Sequence, residues 1–230
     1  MRRIGLHFLF LTLFSLVSMH SSLSVAWHDE THLAIAKAAG YYKWYNACGA
    51  DMAKLKAGHI EGHNHYANNK SGTVVTPEMV LAQANSYNRV DFGGHLYGAI
   101  IASLRDYIKE KRAGKYREYH LAFCAHYVGD LSQPLHNTSY NSFNRKFHTT
   151  IDGIVNDDVL RNLHLVKLTS IQIDSEIDLA KEIARIANLS LKLGYKIEDE
   201  GRLLTKDEAY RQISMSASLL KGILDYVAKK

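Results

Sequence analysis

The chain has 230 residues, of which 47% are hydrophobic and 22% charged. Lys and Arg outnumber Asp and Glu by 28 to 23, a formal net charge of +5. That mild excess suits an anionic substrate but is not by itself a nucleic-acid footprint, and beyond Ala26 no run is long and apolar enough to span a bilayer.

Residues 1–26 read as a secretory signal peptide. Arg2 and Arg3 form a basic start, residues 4–19 are apolar, and Ser24-Val25-Ala26 ends the segment with small side chains at the cleavage positions. A membrane anchor is the other reading of this segment, but its apolar core is short and no basic stop-transfer follows. The expected mature chain is residues 27–230, secreted or periplasmic, with its charge lowered by the loss of Arg2 and Arg3. That length supports one domain with a full core.

Only two prolines occur, Pro77 and Pro134, and no strand-like alternation appears. The pattern predicts an all-α fold, a single compact multi-helix domain. A first helix is expected over residues 30–44, with Leu33, Ile35, Ala36 and Ala39 on its apolar side. A short helix is expected over 51–56 and a Gly- and Asn-rich loop over 58–69. Thr76-Pro77-Glu78 reads as an N-cap with proline at the first helical position, opening a helix to about residue 87. Helices follow over 93–112 and 116–131, the second ended by Pro134. A polar loop over 137–144 precedes helices over 146–163 and 175–193. Thr205-Lys-Asp-Glu208 is a capping box opening a last helix to residue 227.

The chemistry concentrates in His126-Tyr-Val-Gly-Asp130-Leu-Ser-Gln-Pro-Leu-His136 and, just after it, His148-Thr-Thr-Ile-Asp152. His126/Asp130 and His148/Asp152 are i, i+4 pairs, which a helix presents on one face. Imidazole and carboxylate donors without thiolate are the ligand set of a hydrolytic zinc site. Pro134 sets a turn that brings His136 back toward the helix end. A second cluster, His59, Glu61, His63 and His65, lies in the expected loop, with Asp51 upstream. A third source is Trp27, whose amine and carbonyl would chelate a metal once cleavage frees them, with His32 one helical turn further on. Cys48 and Cys124 either pair in an oxidising compartment or stay as free buried thiols.

These motifs carry a resemblance over nearly the whole expected mature chain. The pattern His-x3-Asp, Gln-Pro-Leu-His, His-x3-Asp resembles the bacterial zinc-dependent phospholipases C and the related zinc-dependent single-strand nucleases of fungi and plants. The resemblance implies three zinc ions in one cleft. One would be held by Asp51, His65, His126 and Asp130, with Glu61 as the alternative to Asp51. The second would be held by His136, His148 and Asp152. The third would be held by Trp27, His32 and the other oxygen of Asp130. His65 is preferred over His63 because His65-Tyr66 looks like the family's His-aromatic element.

The implied reaction is attack of a zinc-activated water on phosphorus, with Asp51 as catalytic carboxylate. The His-Tyr-Val-Gly-Asp run, the short gap from His136 to His148, and Glu30 at a head-group position favour phospholipase C. The spacing of His32 from Trp27 and the final aspartate favour the nucleases, and Met52 stands where choline-selective members carry an aromatic. The expected partner is therefore a phospholipid or membrane surface. A 3′-nuclease acting on single-stranded nucleic acid and a non-catalytic metal-binding protein of the same fold are the alternatives.

Overall fold

The computed structural model describes residues 27–57 and 59–230, and of His59 the backbone alone. The expected signal peptide lies outside the described residues. Among those residues every regular element is a helix, and the lone ladder contact is an isolated bridge between Asn69 and Thr138. The all-α expectation holds.

Helix α1 spans Asp29–Ala38, with Asp29 and Glu30 in its first turn, where carboxylates complement the helix dipole. It stops short of the expected residue 44 because Gly40 takes a left-handed φ of 80°, and the Tyr41 amide turns back to the Ala36 carbonyl at 3.0 Å. Trp44 falls instead in a 3-10 turn, Trp44–Asn46. Helix α2 covers Gly49–Ala57 and α3 is a single turn, His59–Gly62, inside the segment expected as loop.

Helix α4, Pro77–Gln83, opens as expected: the Thr76 side chain accepts from the Met79 amide at 3.3 Å. It tightens into a 3-10 turn over Ala84–Ser86. Helix α5 spans Leu96–Arg112. It begins later than expected because Gly94, at φ 69°, and His95 belong to a loop whose His95 amide donates to the His63 carbonyl at 3.0 Å. Helix α6 is Glu118–Ser132, followed by the 3-10 turn Pro134–His136. Helix α7, Ser142–Asp152, begins inside the expected loop, because Asn141 caps it by accepting from the Asn144 amide at 3.0 Å. The chain then breaks, so the expected long helix to residue 163 becomes α7 plus one turn of α8, Asn156–Val159. Helices α9, Glu176–Asp199, and α10, Lys206–Ala228, are each opened by a capping box, from Ser175/Asp178 and Thr205/Glu208.

Helix α6 is the hub. It packs against α5 most extensively, and against α10, α2, α9 and α1. Leu121, Cys124, Ala125, Val128 and Leu131 fill the core from this one helix. Its remaining buried stripe carries His126 and Asp130, so the site is anchored on the best-packed element of the molecule. Both cysteines are free. The Cys48 thiol donates to the Asp29 carbonyl at 3.3 Å, while Cys124 faces α5 and donates to the Ile100 carbonyl at 3.7 Å. The two side chains serve different helix contacts, and of the two alternatives left open by the sequence the free thiols hold. No helix among the described residues is long and apolar enough to cross a membrane.

Candidate metal centre

Six pieces of chain supply the site. Helix α1 contributes His32, α2 Asp51, the segment after α3 His65, α6 His126 and Asp130, the Pro134 turn His136, and α7 His148 and Asp152. All are buried except Asp51, which is half-buried. Three groups of these side chains can each hold a metal ion: His65 with His126 and Asp130, His136 with His148 and Asp152, and His32 with Asp51 and His126.

In the first group His65 Nδ1 lies 3.0 Å from Asp130 Oδ2 and 3.2 Å from His126 Nε2. His126 Nε2 is 3.4 Å from Asp130 Oδ2. Asp51 closes the group, its Oδ1 3.7 Å from His65 Nδ1 and its Oδ2 3.6 Å from His126 Nε2. In the second group His136 Nε2 and His148 Nε2 face each other at 3.0 Å, with Asp152 Oδ2 3.3 Å from His148 Nε2.

The surrounding hydrogen bonds decide which atoms are free to bind. The Nδ1–H of His136 donates to the His65 carbonyl at 2.5 Å. The Nδ1–H of His148 donates to Asn144 Oδ1 at 2.7 Å, and the Asn144 amide nitrogen is engaged with the Leu135 carbonyl at 2.7 Å. A neutral imidazole with its proton on Nδ1 has a lone pair on Nε2. Two imidazole lone pairs and a carboxyl oxygen of Asp152 therefore converge on one point. In the first group His126 Nδ1–H donates to the Ala47 carbonyl at 2.8 Å, so Nε2 is the ring atom that faces Asp130 and Asp51 and that a metal would take in exchange for its proton. Asp130 Oδ1, Asp152 Oδ2, Asp51 Oδ2 and both nitrogens of His32 are buried with no hydrogen-bond partner. Buried acceptors facing acceptors are costly unless a cation lies among them. The residues present thus fit a metal.

His32 Nε2 is 3.4 Å from Asp130 Oδ1, the oxygen that the first group leaves free. Its ring stacks on His126 with centroids 3.8 Å apart. Trp27 is fully buried, and the next residue's amide, His28 N–H, donates to the Asp152 carbonyl at 3.3 Å. The start of the expected mature chain is thereby tied to the end of α7. His63 stays apart from the three groups, its Nδ1 paired with the Tyr66 hydroxyl at 2.7 Å. Glu61 lies on the far side of His65, with Oε1 3.5 Å from His65 Nε2, so Asp51 and not Glu61 faces the other ligands. Glu30 sits in the first turn of α1, where its amide donates to Asn156 Oδ1 at 3.1 Å, and its carboxylate makes none of the contacts that join the cluster. Met52 is exposed.

The electrostatics follow from this crowding. Burial opposes ionisation of Asp51 and Asp130, yet neighbouring histidines hold both carboxyls well below the usual range. Burial also opposes the charged form of His126, but Asp51 and Asp130 outweigh it and lift its pKa to about 9. His136 is pushed down to about 4, chiefly by burial, so it is neutral and ready to ligate at pH 7. Burial raises Asp152 well above the carboxylate range. A cation entering the site relieves this strain on Asp152 by favouring its charged form.

Some participants carried no sequence signal. Lys54 is buried on α2 with its ammonium 2.8 Å from Asp51 Oδ1, a cation placed at the cluster itself. An (i, i+3) Asp–Lys pair on a helix is ordinary, and only the burial makes it notable. Gln133 donates through Nε2 to Asp152 Oδ1 and accepts from the His136 amide at 3.1 Å, which ties the Gln-Pro-Leu-His turn to α7. Ala47 and His65 act through their backbone carbonyls.

No protein-family profile matches the chain, and no curated protein matches its sequence.

Proposed function

We propose that the chain is a secreted zinc-dependent phosphodiester hydrolase of the phospholipase C type, releasing diacylglycerol and a phosphorylated head group. The observation that carries the reading is the convergence of imidazole nitrogens and carboxyl oxygens in three groups, two of which share His126. Nitrogen and oxygen donors without thiolate suit catalytic zinc. The assignment is one ion at Asp51, His65, His126 and Asp130, and a second at His136, His148 and Asp152. A third would belong to His32 and Asp130 Oδ1, completed by the Trp27 carbonyl and the α-amine that cleavage after Ala26 would free.

When bound, the ions supply Lewis acidity for attack of water on phosphorus and neutralise phosphate oxygens. The protein's own part is positioning and charge. Asp51, half-buried at the edge of the group, orients the attacking water. Lys54 offers its ammonium to a phosphate oxygen. Ala47, His65 and Asn144 fix the histidine tautomers, so no proton must leave Nε2 of His136 or His148 before the site is used.

A surface feature favours lipid over nucleic acid. Tyr45, Met52, Tyr116, Tyr119 and Phe123 line a groove of about 280 Å³ along the same stripe of α6 as His126. Tyrosines with apolar neighbours suit the boundary between water and hydrocarbon. The nearby Lys43 and Lys115 are paired with Glu118 and Glu110, whereas a nucleic-acid backbone calls for unpaired cations. The test is turnover of a lecithin emulsion against single-stranded DNA, each with zinc. Head-group release from lecithin is expected. Cleavage of the DNA alone would replace this reading with the 3′-nuclease, and normal metal content without turnover on either would leave a non-catalytic metal-binding protein.

A further inference from the structure

We infer that Glu61 is a positioning residue for the metal centre: with Tyr127 behind it, its carboxylate holds the outer nitrogen of His65 and aims Nδ1 at the ligand cluster. The inference rests on the metal-binding reading above. Glu61 is 4% exposed, and its partners are all uncharged or histidine. Oε1 accepts a short hydrogen bond from the Tyr127 hydroxyl and lies 3.5 Å from His65 Nε2. Oε2 accepts from the Asn64 amide at 3.0 Å, and Asn64 Oδ1 accepts in turn from the Asn88 amide at 3.2 Å and faces His95 Nε2 at 2.8 Å. Among the described residues no lysine or arginine pairs with Glu61. A buried carboxylate without a cationic partner is costly. The nearest group that can answer it is His65 Nε2, 3.5 Å away, buried and with no hydrogen-bond partner of its own; a cation at Nδ1 would leave the ring proton on Nε2 and draw it to the carboxylate.

Geometry also separates this role from that of a ligand. His65 Nδ1 is the atom 3.0 Å from Asp130 and 3.2 Å from His126. Glu61 meets the opposite nitrogen. The ring therefore stands between Glu61 and the cluster, as in the carboxylate–histidine–metal arrangements that fix a ligand's tautomer and raise its basicity. Tyr127 adds precision because it follows His126 on α6: one helix carries a ligand and, on the next side chain, the clamp on the group behind a second ligand. Nothing in local sequence announces this, since Glu61 and Tyr127 are far apart along the chain.

The test uses the secreted protein and its Glu61→Gln and Tyr127→Phe variants, both close to isosteric. Zinc affinity is read by chelator competition, zinc content at saturation by elemental analysis, and ligand geometry by the visible spectrum of the cobalt(II) form. Glu61→Gln is expected to weaken one site by about 10- to 100-fold, to shift the cobalt spectrum, and to keep the full zinc content at saturation. Tyr127→Phe is expected to move the same readouts in the same direction by less. Unchanged affinity and spectrum in Glu61→Gln, with a wild-type protein that binds zinc, would overturn the positioning role alone. Loss of an ion at saturating zinc would overturn it by making Glu61 a ligand. A wild-type protein that binds no zinc would overturn the metal reading and this inference together.

Discussion

His136 has a proton on Nδ1 fixed by a backbone carbonyl and a lone pair on Nε2 aimed at His148. His136→Ala is therefore expected to cost one ion and at least 10²-fold in turnover, a loss comparable to removing a strong transition-state contact. Elemental analysis beside the lecithin assay checks it, and full metal content in the variant would contradict the assignment. Lys54→Met keeps the volume and removes the charge. We expect turnover to fall by about 10²-fold with metal content unchanged. His126 adds a pH dependence. Its pKa in the metal-free protein is raised from 6.5 to about 9 by Asp51 and Asp130. A raised pKa means the protonated form stabilises the metal-free fold below pH 6.5, and that contribution is lost as pH rises through 9. A metal must displace the same proton, so apparent zinc affinity should climb about tenfold per pH unit towards pH 9 and then flatten. Chelator competition at a series of pH values measures the slope, and a flat profile between pH 7 and 9 would contradict the electrostatic account.

At the scale of elements, α6 and α1 meet so closely that a Cβ on Gly129 would lie 2.4 Å from His32 Nδ1. Gly129→Ala should push His32 off the cluster and weaken the site it shares with Asp130, while α6 itself gains helix propensity. Adding one residue before Trp27 in the processed chain should likewise remove the third ion and most activity. Two-site zinc content is the expected readout in both cases, and three-site content would contradict it. The His126/Asp130 and His148/Asp152 pairs of the cluster were legible in the sequence because i, i+4 spacing is a local rule that α6 and α7 obey. The capping boxes and Thr76-Pro77 were legible for the same reason. Helix limits failed where a single residue overrides periodicity. Gly40 and Gly94 take left-handed backbones, and Asn141 starts α7 within a polar stretch that lacks apolar spacing. Ala47, Asn144 and Gln133 fix the ligands through contacts that depend on tertiary packing, and backbone carbonyls leave no mark on a sequence.

For the whole molecule, the site is a set of negative and lone-pair atoms gathered by six chain segments around α6. A cation held there would couple metal binding to folding, because it would join segments that are distant in sequence. At free zinc a hundredfold above its Kd, one site adds about 2.7 kcal/mol of stability. Chelation should therefore lower the melting temperature measurably, and an identical melting curve with and without chelator would contradict the coupling. Acid acts elsewhere as well. Arg202 holds Glu208, the partner in the α10 capping box, at a pKa near 2, down from 4.5. A depressed pKa gives stability that is present above pH 4.5 and lost as pH falls towards 2. Glu208→Gln should flatten acid unfolding in that window, which a series of denaturant melts would read.

Anomalous X-ray scattering at the zinc edge, from crystals of the chain beginning at Trp27, addresses the central claim most directly. The account predicts separate peaks about 2.0–2.1 Å from His126 Nε2 and from His136 Nε2, with a third beside His32 and the Trp27 amine. A map with no peak among these side chains, from protein grown with zinc, would contradict it.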